Sequence, residues 1–180
     1  MSPIVYIETN PIIAAVMGQD PCVDDLLSTP AEVLRLAVPT VCLMEAITAF
    51  DRKRNERNGL KGALDGQLSQ VGRSLEIGAA LRLTELLTHA RAMNDDLLTE
   101  LHRRLETYLL RVAGRAEMID LVADDLGYAL DLAELLRLGR ADALILTCIL
   151  AHARRSGDAR KGFISGNVRD FAAMVRKDGA

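Results

Sequence analysis

The chain has 180 residues, with 22 basic and 25 acidic side chains and a net charge of −3. Apolar residues make up 49% and charged residues 26%, a globular composition that excludes disorder as the main theme. A chain of this length buries about 70% of its unfolded surface, so it needs neither a disulfide nor a metal to fold.

Ile4-Val5-Tyr6-Ile7 is a short β-branched and aromatic run, the length and content of a buried strand. Glu8-Thr9-Asn10-Pro11 follows at once, and Pro11 disfavours helix at Asn10 while pre-setting the first turn of a new one. Residues Ile12 to Met17 then read as a helix ending near Gly18. Leu36-Ala37-Val38-Pro39 is a second strand, after which Thr40 is placed to cap a helix opening Val41-Cys42-Leu43-Met44-Glu45. Glu45 is a charge inside an otherwise apolar stretch.

Residues 51 to about 115 read as helix, with Gly59, Gly62 and Gly66 marking a hinge or a change of helix. Leu83, Leu86, Ala90, Met93, Leu97, Leu101, Leu105, Tyr108 and Val112 recur at gaps of three and four, which predicts a long amphipathic helix of about 50 Å. Its stripe must be buried against a partner helix, in the same chain or in a second subunit. Met118 to Ala123 is a strand or a loop. Leu126 to Leu138 reads as a helix stopped by Gly139, and Ala141 to Ala153 as an apolar helix that opens with Asp142. Lys161-Gly162-Phe163-Ile164-Ser165 is a last strand, and Gly166 to Phe171 the turn after it. Strands alternating with helices predict a parallel α/β sheet, whose ligand sites lie outside the C-terminal ends of the strands.

Four acids share that kind of location. Glu8 follows the first strand, Glu45 lies on the helix after the second, Asp142 begins an apolar helix, and Asp170 follows the last strand. Singly, each acid suits a helix start or a solvated turn, where negative charge is favoured. Converging on one sheet edge, with Ser165 and Asn167 beside Asp170, they make an oxygen-only site of the kind that holds Mg²⁺ or Mn²⁺.

Ile4-Val5-Tyr6-Ile7-Glu8-Thr9-Asn10 resembles the opening of the PIN-domain nucleases, a strand followed by acid-Thr-Asn. Pro39 to Ala46, around Glu45, resembles that family's second acidic motif. Gly139 to Leu146, around Asp142, resembles the third, and Phe163 to Phe171, with Ser165, Asn167 and Asp170, the fourth. Glu8 stands where the family usually has Asp, one methylene shorter. The resemblance covers residues 1–50 and about 118–175, and implies one PIN-like domain over residues 1–180 with an inserted helical hairpin at about 51–117, longer than in minimal family members. It also leaves little chain after Phe171 for the family's usual final strand.

The resemblance further implies divalent-metal-dependent hydrolysis of RNA phosphodiesters by a toxin or defence effector. Glu8, Glu45 and Asp142 would hold the metal, Asp170 would support it or a second ion, and Thr9, Asn10, Ser165 and Asn167 would orient its surroundings. An acidic pocket repels a polyanion, so positive flanks must draw RNA in. Residues 51–73 hold six basic against three acidic side chains, and residues 152–178 seven against three. Arg52, Lys53, Arg54, Arg57 and Arg169 are the candidates.

Two other readings stay open. One is a catalytically impaired scaffold acting through its helices, and the other a structure-specific DNA nuclease. An inhibitor or antitoxin protein and a second copy of the chain are the expected partners. The three cysteines (Cys22, Cys42 and Cys148) form no CxxC pair, which fits reduced thiols in a cytoplasm, and His89, His102 and His152 have no ligand spacing, with His152 expected at the surface. No secretory signal or membrane span is expected, because the first basic residue is Arg35 and no apolar run is long enough. With three Tyr, three Phe and no Trp, no base-stacking platform is expected.

Overall fold

The computed structural model describes residues 2–74, 78–157 and 160–166. Its elements, in chain order, are β1 (Ile4–Ile7), α1 (Thr9–Val16), α2 (Cys22–Ser28), β2 (Arg35–Pro39), α3 (Thr40–Val71), α4 (Gly78–Arg115), β3 (Glu117–Ile119), α5 (Ala123–Leu136), α6 (Arg140–Arg155) and β4 (Lys161–Ile164). Among the described residues no helix is long and apolar enough to cross a membrane.

The chain divides into two compact units. The first comprises Met1–Ile47 and Glu106–Ala180, the second Thr48–Leu105. The first is built on a four-stranded sheet of order β3-β2-β1-β4, every pair parallel. This is the parallel α/β class that the strand and helix alternation predicts. Tyr6 lies opposite Ala37 on one side and Phe163 on the other, which aligns the ends of β1, β2 and β4.

The core collects the residues that make these segments strands and apolar helices. Ile4, Tyr6 and Ile7 of β1, Leu36 and Val38 of β2, and Ile12 of α1 are buried together with Ile145, Cys148 and Ile149 of α6. A β1 strand buried on both faces accounts for its lack of polar alternation. Arg35 and Glu117, which open β2 and β3, form a bidentate pair at 2.6 and 2.7 Å. Next to them, Tyr6 hydroxyl is 3.0 Å from His152 Nδ1, and His152 Nε2 is 3.6 Å from Glu117. His152 is therefore half-buried in the first unit, which corrects the surface expectation. Burial, the largest influence, holds its imidazole below the ordinary pKa.

The second unit is a helical hairpin formed by the later part of α3 and the earlier part of α4. Lys61 bonds Asp95 at 2.9 Å, Arg91 pairs with Asp65 at 3.1 Å, and the rings of Phe50 and His102 are 5.9 Å apart. Helix α3 runs unbroken through Gly59, Gly62 and Gly66 to Val71, so these glycines mark no hinge. They lower its helix propensity, and the cross-hairpin contacts override that.

The stripe on α4 is not one face. Leu101, Leu105, Tyr108 and Val112 are buried, whereas Leu83, Leu86, Met93 and Leu97 are exposed. The reason is in the spacing. Successive gaps of four from Met93 to Leu105 each turn the stripe by about 40°, carrying it off its original line. Between residues 80 and 98 of α4, Ala80, Thr84, Leu87, Asn94 and Leu98 are instead the partly or fully buried positions, and Asn94 donates to the Arg57 carbonyl of α3.

Two boundaries also differ from expectation. Helix α1 begins at Thr9, three residues before Ile12, with Pro11 accommodated in its first turn. Helix α5 ends at Leu136 and is capped by Arg137, which takes the left-handed conformation (φ 56°), while Gly139 instead precedes α6. Helix α2, a single short amphipathic turn pair, carries no strong sequence signal. It is held by Asp24, which accepts from the Tyr108 hydroxyl and pairs with Arg111 at 2.7 Å.

Candidate active site at the carboxyl edge of the sheet

Three strands in sequence, β1 to β3, are laid down in one direction, and β4 then returns to the other side of β1. The strand order therefore reverses between β1 and β4. Crevices at such reversals, outside the carboxyl ends of the strands, are where open parallel sheets bind ligands. Glu8 follows β1 at this point, and Ser165 and Gly166 follow β4.

Glu8 is 1% exposed. It occupies the position before α1, yet its side chain makes no capping bond to that helix. Its Oε1 instead accepts from Ser165 Oγ at 2.8 Å, from the Gly166 amide at 2.8 Å and from Asn10 Nδ2 at 3.3 Å. The backbone ties the same edge together, the Glu8 amide donating to Ile164 carbonyl at 3.3 Å. A Cβ at Gly166 would lie 2.8 Å from Asn10 Cβ, so only glycine lets the turn after β4 approach the start of α1 this closely.

Thr9 is also buried, and its hydroxyl donates to Glu45 Oε2. Glu45 is half-buried on the second turn of α3. Cys42, one turn earlier, is fully buried, with Thr9 as a hydrogen-bond partner and the charges of Glu45 and Glu8 close by. Burial above all, then those two carboxyl groups, push its thiol up to about 12. Thr40 does not serve as the expected cap: its hydroxyl donates to Ile119 carbonyl at 3.2 Å, joining the start of α3 to the end of β3.

Asp142 lies in the first turn of α6, half-buried, with its carboxylate turned back over the helix start. A Cβ at Gly139 would lie 2.9 Å from its Oδ2. The helix has a definite direction. His152, near its end, sits by Glu117 and Arg35 at the amino ends of β3 and β2. Asp142, ten residues earlier, is thus about 15 Å up the axis toward the carboxyl edge, the edge that holds Glu8 and Glu45.

The described hydrogen bonds therefore bring together Glu8, Thr9, Asn10, Glu45 and Ser165, while Asp142 is placed by the direction of α6. Asn167, Arg169 and Asp170 lie outside the described residues. Arg52, Lys53, Arg54 and Arg57 are exposed on the part of α3 that belongs to the second unit, Arg54 pairing with Asp51 at 3.0 Å. Sequence reasoning did not foresee the Gly166 amide as a partner of Glu8, or Cys42 as a neighbour of the acids. The Ser165-Gly166 dipeptide at a strand end is the signal for the former, and the i, i+3 spacing of Cys42 and Glu45 for the latter.

Among the described residues, no three His, Cys, Asp or Glu side chains are grouped so as to hold a metal ion by themselves. The chemistry of the donor set is nonetheless that of a hard divalent cation: carboxylates and hydroxyls, linked through Thr9, with no imidazole and only a protonated thiol beside them. Comparison with protein-family models and with curated proteins finds no match. Among solved structures, the chain is similar to VapBC2 from Rickettsia felis, a crystal structure bound to a DNA fragment from their promoter, at 16% identity over 94% of this chain and 92% of that one, with a TM-score of 0.48.

Proposed function

We propose that this protein is a divalent-metal-dependent nuclease of PIN-like type that hydrolyses RNA. The observation that carries the reading is the buried Glu8 at the reversal point of the sheet, tied by Oε1 to the end of β4 and joined through Thr9 to Glu45. A carboxyl group buried at a strand end and fixed by three donors, with no role as a helix cap, is organised for more than local stability.

In this reading Glu8 and Glu45 hold a Mg²⁺ or Mn²⁺ ion together with Asp142 and Asp170. When bound, the ion supplies polarisation of a water and neutralisation of charge on the phosphate. The chain's own groups do the positioning. Ser165 and the Gly166 amide hold Oε1 of Glu8 in place, and Thr9 fixes the rotamer of Glu45. Asn10 organises the turn before α1, Asn167 would orient water or the phosphate, and Arg52, Lys53, Arg54, Arg57 and Arg169 are the candidate phosphate contacts. The role class is a toxin or defence effector in the cytoplasm, with an inhibitor protein as partner.

A second reading, a scaffold that keeps the fold without catalysis, is favoured by two observations. One Glu8 oxygen already accepts three hydrogen bonds, and no three acidic or imidazole groups cluster among the described residues. One experiment separates the two. Mixed-sequence RNA and DNA substrates are incubated with Mn²⁺, Mg²⁺ or EDTA, with wild type beside Asp142→Asn. Metal-dependent RNA cleavage lost in the variant supports the ribonuclease, and cleavage of DNA alone replaces its substrate. No cleavage, together with no thermal stabilisation of wild type by Mn²⁺, leaves the scaffold.

A further inference from the structure

Leu81 and Leu110 aside, the large exposed apolar residues of α4 fall on one line. Ala79, Leu83, Leu86, Ala90, Met93 and Leu97 follow a 4-3-4-3-4 spacing, the heptad seam of a two-stranded coil. At 100° per residue they fall within an arc of about 80° on one side of the helix. Leu83 is 44% exposed, Leu86 67%, Met93 58% and Leu97 39%, so none of them is buried by the described residues. Contact with α3 is made by other residues of the same helix: Asn94 donates to the Arg57 carbonyl, Asp95 pairs with Lys61 and Arg91 with Asp65, and Ala80, Thr84, Leu87 and Leu98 near them are partly buried. All of this lies within the second unit. A continuous apolar strip of this kind marks an interaction surface.

The strip also matches itself when reversed. Laid antiparallel about a two-fold axis near residue 88, Leu83 meets Met93 of the other copy, Leu86 meets Ala90, and Ala79 meets Leu97. Each layer then pairs a large side chain with a smaller or more flexible one. The flanking charges match in the same register. Arg82 and Asp96 are exposed on the same flank of the seam, and in the antiparallel arrangement Arg82 of each copy lies beside Asp96 of the other. A parallel arrangement would instead put this flank of one copy beside the opposite flank of the other, which carries Ala80, Leu87 and Asn94, and the two charges would find no opposite partner there. Complementarity of both shape and charge under one two-fold operation is what an isologous interface requires.

We propose that residues 79–97 of α4 form a homodimer seam, each copy packing antiparallel on the same seam of a second copy. The inference is independent of the nuclease reading. The seam is about 27 Å long and one helix wide, at the small end of specific interfaces, so the dimer is expected to be weak and concentration-dependent.

The test is sedimentation velocity on the full chain, from about 1 to 200 μM at low ionic strength. Wild type should pass from monomer to dimer across this range. Leu86→Glu, at an exposed position, should weaken dimerisation at least about tenfold while leaving the circular dichroism spectrum unchanged. Arg82→Asp and Asp96→Arg should each weaken it about threefold or more, and the double exchange should restore it. A wild type that stays monomeric at about 200 μM overturns the proposal, as does a Leu86→Glu variant that dimerises like wild type. Failure of the double exchange to restore dimerisation overturns the antiparallel register.

Discussion

The Glu8 carboxyl group gives a prediction in which fold and chemistry separate. Glu8→Ala removes an oxygen that accepts two hydrogen bonds of 2.8 Å and one of 3.3 Å. Ser165 is half-buried and Gly166 exposed, so their freed donors can turn to water. Each good bond then costs about 0.5–1.5 kcal/mol, and the cavity adds about 1 kcal/mol. Relief of a buried acid offsets part of this, leaving a net loss of about 2 kcal/mol. For a chain of this size that lowers Tm by about 4–8 °C. Glu8→Gln keeps an acceptor oxygen at the same reach and should fall within about 1 kcal/mol of wild type. If Glu8 holds a cation, however, Gln should abolish both cleavage and stabilisation by Mn²⁺. The assay is thermal unfolding of the three proteins with EDTA and with Mn²⁺, beside RNA cleavage. A Gln variant as unstable as the Ala variant would refute the idea that Glu8 acts on the fold as a hydrogen-bond acceptor. A Gln variant still stabilised by Mn²⁺ to the wild-type extent would refute its role as a ligand.

Further expectations follow from groups outside the site. Thr147 is 1% exposed and its hydroxyl has no partner among the described residues, so Thr147→Val should raise stability by about 1 kcal/mol, read as a Tm increase of about 2–4 °C. Cys42 and Cys148 are buried with raised thiol pKa values, whereas Cys22 is partly exposed. A thiol reagent at pH 8 should therefore label one cysteine quickly in the native protein and three in denaturant. His152 has a folded pKa below its ordinary value of 6.5, chiefly through burial, with Arg155 and Arg35 adding to the effect and Glu117 opposing it. The stability this contributes is present above pH 6.5 and is lost as pH falls through the folded value. Wild-type Tm should thus drop between pH 7.5 and 5, and His152→Gln should flatten that part of the profile.

What was legible in the sequence was local. β1 and β2 are dense in β-branched and aromatic or aliphatic residues, and both appear where expected, as does the strand at Lys161–Ile164. Apolar patterning also gave α4 and α6 nearly to their ends. It failed where two signals competed. The first helix reads as starting at Ile12, three residues too late, because the fixed φ of Pro11 suits any residue of a first turn and here the turn begins at Thr9. The glycines of α3 read as breaks because propensity is a local quantity, whereas Lys61–Asp95 and Asp65–Arg91 act across the hairpin. The stripe from Leu83 to Val112 reads as one face because gaps of three and four look alike on the page, and only their cumulative rotation separates an outward seam from an inward one.

The candidate site shows the same division more sharply. That Glu8 ends a strand is visible in seven residues. That it meets Ser165, 157 positions away, depends on β4 pairing with β1 rather than with β3. Nothing in the composition of β4 specifies that neighbour, since Lys161, Gly162 and Phe163 are exposed in an edge strand that any sheet border would accept. The choice is made by the connection. Helix α6 runs from the carboxyl edge back to the amino edge, where His152 docks against Tyr6 and Glu117, and so delivers the chain to the amino end of β1. There the Ile4 amide takes the carbonyl of Arg160 at 2.8 Å, and the parallel register from Ile4 to Ile7 follows. The contacts of His152 thus lie where α6 hands the chain on to β4, one strand length from the point at which Ser165 and Gly166 meet the carboxyl group of Glu8.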